Sequence, residues 1–151
     1  MFYSNLLKGV AVAAMAVILT SCGGNNGGSD ARVKTQEVVL EDCVKIEQQG
    51  VDFKITEETD EGKTEAYLEV NLKVEALNDV SWGWGKRIKM YLFDKDGVEL
   101  IYLIADDAPE KKGSKKMVTF GQTLATGDKT KQELNTIVSN TTSVSFEIEK
   151  L

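Results

Sequence analysis

Along most of the chain, apolar and polar residues alternate with period two. The clearest stretch is "AYLEVNLKVEA", in which Leu68, Val70, Leu72 and Val74 alternate with Glu69, Asn71, Lys73 and Glu75. That spacing predicts a strand with one buried and one wet face. "VDFKIT" repeats it with Val51, Phe53 and Ile55, and "SVSFEIEKL" closes the chain with Val144, Phe146 and Ile148 inward. "RIKMYLF" and "VELIYLI" flank "DKDG", which predicts a hairpin with Gly97 in the left-handed conformation. "KMVTFGQT" is a further strand, and "VKTQEVVLEDCVKI" is one long or broken strand, bent near Asp42. The total is about seven strands. One segment departs from this period. In "TKQELNTIV", Leu134, Ile137 and Val138 fall at helical spacing, and Thr130 with Glu133 fits a capping box. A helix of about two turns is expected near 131–138, crossing from one edge of the sheet stack to the other.

Such a rhythm predicts an all-β fold, as a two-layer β-sandwich over residues 33–151. It resembles the immunoglobulin-like domains common in bacterial lipoproteins. No Cys…Trp…Cys spacing occurs, so an antibody-type core is not expected. A curved sheet packed on helix 131–138 is the alternative.

The first residues are organised differently. Lys8 and the amino terminus are positive, and Val10 to Leu19 is an apolar run too short to span a bilayer but long enough for a secretory signal. Leu19, Thr20, Ser21 and Cys22 follow. This "LTSC" resembles the lipobox of bacterial lipoproteins. The resemblance implies a signal peptide over 1–21, removed by cleavage before Cys22, and acylation of Cys22 with diacylglyceryl and palmitate-type chains. Several acyl chains make anchoring lasting where one does not. Residues 22–32, with "GGNNGGSD" at their heart, are expected to be a flexible tether with a mean reach of roughly 15–20 Å. Some Gram-negative lipoproteins carry an acidic export cluster just after the cysteine. Gly23, Gly24, Asn25 and Asn26 stand there instead, so the expected location is the outer membrane, facing the periplasm, with the cell surface as the alternative.

Charge and composition narrow the partners. The leader holds one charged side chain, so its removal takes the formal net charge from -6 to about -7. An acidic surface repels phosphate backbones, so nucleic acid is not an expected partner. Once Cys22 is lipidated, Cys43 has no cysteine to pair with, and it is expected to be buried. The chain contains no histidine. Ser-His-Asp and Cys-His catalysis and imidazole-based zinc sites are thereby excluded.

Individual motifs mostly reduce to turns. "DKDG" opens like a calcium loop, but Glu99 and Ala105 stand where the loop requires Gly and Glu. "GWGKRI" has Ile88 in place of the third glycine of a nucleotide loop. The acidic runs "EETDEG" and "DDAPE" are expected to be solvated turns. "KKGSKK" is expected to be a charged loop capping an edge strand. No metal, cofactor or catalytic residue is expected.

"NDVSWGWGKR" is the candidate binding stretch. Trp82 and Trp84 lie two apart, so in a strand both would share a face, with Gly83 and Gly85 leaving the other bare. Indoles on a shared face suit a sugar ring or a protein hot spot, and Lys86 and Arg87 would supply donors. The competing expectation is that the indoles cap the core. The resulting functional expectation is a non-catalytic, membrane-anchored binding module for a protein or envelope glycan. A carboxylate-only glycan-processing enzyme and a purely structural envelope component are the alternatives.

Overall fold

The structure is a computed structural model that describes residues 31–83, 85–123 and 126–151. The leader, the lipobox with Cys22, the linker to residue 30, and Trp84 lie outside the described residues. Ten strands and one helix are present among the described residues, in the order β1 (Val33–Lys34), β2 (Val38–Leu40), β3 (Val44–Ile46), β4 (Gly50–Val51), β5 (Phe53–Asp60), β6 (Lys63–Ala76), β7 (Lys86–Phe93), β8 (Glu99–Ala105), β9 (Lys115–Gly121), α1 (Lys131–Asn140) and β10 (Ser143–Lys150).

The fold is all-β with one short helix. Eight strands join in one antiparallel sheet, ordered β10-β7-β8-β9-β6-β3-β2, with β5 paired to the remaining length of β6. The pair β1–β4 forms a second, two-stranded sheet. Curling brings β10 against β1 and β2, so the arrangement is nearly barrel-like. This continuous path differs from the expected partition into two facing sheets, because β6 is long enough to bond partners on both its edges along its length. It spans fourteen residues, about 45 Å of extended chain. Its Leu68, Val70, Leu72 and Val74 are all fully buried, as period two requires. Ile148 is buried, and Phe146 is half-buried with its ring edge-on to Phe120, centroids 5.8 Å apart.

Turn chemistry determines how the strands connect. Between β5 and β6, Glu61 and Gly62 both have positive φ (51° and 79°), the two-residue hairpin geometry that matches strand twist. Between β7 and β8, Gly97 has φ 79° and donates to the Asp94 carbonyl, while Asp94 Oδ1 accepts from the amides of Asp96 and Val98. Of the two expected forms, long or broken, the segment around Asp42 takes the broken one: β2 and β3 are joined by a tight reversal at Glu41 and Asp42 (φ 48° and 57°). The amide of Cys43 donates to the Leu40 carbonyl to close it. Cys43 is half-buried against the core rather than fully enclosed. "KKGSKK" leads into β9, which lies between β8 and β6 and is not an edge strand.

Helix α1 begins at the expected capping box. Thr130 accepts from the Glu133 amide, and the Glu133 carboxylate accepts from the Thr130 amide. Leu134 is fully buried under the sheet, and the helix packs on β5 and β6. No basic residue occupies its last turn. Arg32, far away in the chain, supplies that charge: its guanidinium donates to the carbonyls of Val138 (2.7 Å) and Thr141. These bonds tie Arg32, the last residue of the expected linker, to the end of α1. Thr141 is fully buried and donates to the Ile137 carbonyl, and the amide of Thr142 donates to the Phe93 carbonyl.

Candidate functional site

The chain enters the domain at the end of the sheet where the β7–β8 hairpin turns, and three loops gather at the other. At the loop end, the segments 77–85 and 106–114 are laced together. Val80 donates to the Glu110 carbonyl, Gly113 to the Ala76 carbonyl, and the Lys112 amide to Asp79 Oδ1. The β2–β3 turn joins them: Asn78 donates to the Asp42 carbonyl, and Leu77 to the Cys43 carbonyl. The carboxyl end closes the group, with Leu151 donating to the Gly85 carbonyl and Lys150 paired to Glu41 at 3.4 Å.

Trp82 lies within this group and is buried, at 6% exposure. Its indole N–H donates to the Pro109 carbonyl at 2.9 Å, which satisfies its polar edge inside the fold. The expectation of an exposed, strand-borne platform therefore does not hold for Trp82. The strand begins only at Lys86, and Gly83 has φ 93°, so Trp82 lies outside any period-two run. Lys86 and Arg87, which open β7, are both half-exposed. Arg87 is committed to a 2.8 Å pair with Glu149, and that bond holds the Glu149 carboxyl below its ordinary pKa. Lys111 and Lys112 are exposed at the same end and make no ion pair among the described residues, whereas Lys115 and Lys116 are paired to Glu47 and Asp107.

The outer face of β7 and β8 carries a second group that the motif reading missed. Ile88, Met90 and Leu92 of β7, and Ile101, Leu103 and Ala105 of β8, fill the interior. The alternate positions face outward, and Tyr91, Phe93, Leu100, Tyr102 and Ile104 among them are half-buried. Tyr91 sits directly opposite Tyr102, ring centroids 6.3 Å apart, and stacks on Phe93 at 6.2 Å. Lys89 lays its ammonium 4.1 Å from the Tyr102 centroid and 3.5 Å from Glu149. Tyr91 donates to Glu147 of β10; burial first, then that hydrogen bond, pushes its phenol well above the ordinary tyrosine pKa. The one sign of it in the sequence is that "VELIYLI" carries apolar residues at both parities, which shows two apolar faces but not which is outward.

A shallow groove of about 280 Å³ lies elsewhere on the sheet, lined by residues that include Glu58, Tyr67, Glu69 and Gln122. Gln122 accepts from the Leu68 amide and donates to the Thr126 carbonyl, bridging the end of β9 to the next loop. Among the described residues, no group of three or more metal-ligating side chains converges. No family model matches the chain, and neither a curated protein nor a solved structure matches it.

Proposed function

We propose that this chain is a lipoprotein of the bacterial envelope, anchored through Cys22 in the outer membrane and facing the periplasm. In this reading it is a non-catalytic module that binds a protein or an envelope glycan. The observation that carries the binding role is the separation of the two ends. The chain enters beside Arg32 and the end of α1, while three loops and the carboxyl terminus meet at the opposite end. A domain tethered at one end presents the other. The anchor is supported by the order of charge, apolar run and "LTSC", and the lack of catalysis by the missing histidine. At the loop end, Lys86, Lys111 and Lys112 are the cations left to meet a ligand, with Trp84 adjoining them in sequence. Immunoglobulin-like lipoprotein domains are one setting for such a role, although the continuous strand path favours a single curled sheet. The rival reading, a carboxylate-only glycan-processing enzyme, draws on Glu58 and Glu69 in the shallow groove.

Affinity capture from native envelope tests the binding role. Charge reversal at Lys86, Lys111 and Lys112 should abolish capture of a protein or glycan, and reversal of Lys95 at the entry end should leave it intact. Equal capture by both variants would remove the loop end from consideration.

A further inference from the structure

The anchoring chain enters the domain beside the aromatic outer face, not beside the loops. Arg32 is fastened to the carbonyls of Val138 and Thr141, and the next residue, Thr142, bonds the backbone of Phe93. Only eight residues separate Cys22 from Ala31. A polar, glycine-rich segment of that length has a mean reach of roughly 15 Å. Any lipid on Cys22 therefore holds the foot of β7 close to the bilayer surface. The side chains at that foot are those a headgroup region accepts: Phe93, Tyr91 and Tyr102 on the outer face, and Val98, 56% exposed, at the hairpin tip. Tyrosine places an apolar ring and a polar edge at such an interface, and Lys89 buries its stem there while its ammonium stays paired.

We propose that the outer face and tip of the β7–β8 hairpin rest on the lipid surface and orient the anchored domain, so that its loop end faces away from the membrane. This rests on lipidation of Cys22. The tip fixes the kind of surface. Asp94, Asp96 and Glu99 outnumber Lys95 there, so a zwitterionic surface is favoured and an anionic one repels the tip.

The test uses lipidated full-length protein in phosphatidylcholine vesicles that contain headgroup spin-labelled lipid. In a Cys43→Ala background, Val98→Cys and Lys112→Cys each carry a fluorophore, one at the tip and one at the loop end. Quenching at position 98 should exceed that at 112 several-fold, and adding phosphatidylglycerol should reduce the difference. A Phe93→Ser/Tyr102→Ser double variant, shown to be folded by circular dichroism, should equalise the two sites while remaining in the vesicle fraction. Equal quenching of the two sites in the otherwise native protein, with vesicle binding still dependent on Cys22, would overturn the orientation and leave the anchor standing. Quenching at neither site, with the face instead cross-linking to another protein, would overturn it equally. Vesicle binding that survives Cys22→Ala with no change in mass would instead remove the anchor on which it rests.

Discussion

Glu41 and Asp42 show how one residue's conformation sets a connection. Both occupy the left-handed region, which costs a residue other than glycine about 1–2 kcal/mol. The turn persists because its neighbours hold it. Asn78 binds the Asp42 carbonyl, Lys150 pairs with Glu41, and the hairpin geometry follows the strand twist. The Asp42 side chain is exposed, and its only hydrogen bond given by the structure is through its carbonyl, so a glycine there keeps every contact. Urea unfolding should rank Asp42→Gly at or above the native protein. Asp42→Ala should be lower, and Asp42→Val lower still, by about 1 kcal/mol or more. A glycine variant less stable than the alanine variant would show that the left-handed conformation carries no cost here. A break near Asp42 was legible in the chain, but the full reversal was not, because no glycine or asparagine marks the turn. Trp82 follows the core-capping expectation rather than the platform one, because the backbone turns at Gly83 and does not continue a period-two strand.

At the level of elements, the alternating strands and the capped helix follow from local chemistry. The periodicity of β6 and the Thr130–Glu133 box each specify their structure with little help from elsewhere. The helix C-terminus is different, since its charge partner is Arg32, about a hundred residues away in the chain. Hydrogen bonds from a charged donor contribute about 1.5–3 kcal/mol when shielded, and Arg32 is exposed. Arg32→Ala should therefore cost about 1 kcal/mol by denaturant unfolding. Arg32→Lys should restore only part of this, because a point charge cannot bridge two carbonyls as a planar fork does. A loss matched by Lys95→Ala would show that the staple carries no weight. The hairpin β7–β8 illustrates the opposite limit. Its turn was legible in "DKDG", but its two apolar faces were not separable by period, so the aromatic group on the outside emerged only from the strand pairing.

For the whole molecule, the single sheet path ties the loops, the helix and the last strand to one core. Trp82 joins that core through the loop end, and Leu134 joins it through the helix. Unfolding should then be one cooperative event. In a Trp84→Phe variant, the denaturant midpoint followed by Trp82 emission should coincide with that followed by far-ultraviolet circular dichroism. An earlier tryptophan transition would mean that the loop end opens as a separate unit.

Strand content, the inward residues of β6, the helix with its cap and the Gly97 turn were all legible in the linear chain, because each depends on neighbours within a few residues. The exclusion of histidine chemistry needed only composition. The curling of the strands into one sheet, the burial of Trp82, the Arg32 staple and the placement of chain entry beside the aromatic face depend on contacts between distant residues. Period two records which side of a strand is apolar, but not which strand lies beside it or what covers its other face. Those choices follow from twist, register and packing of the assembled sheet.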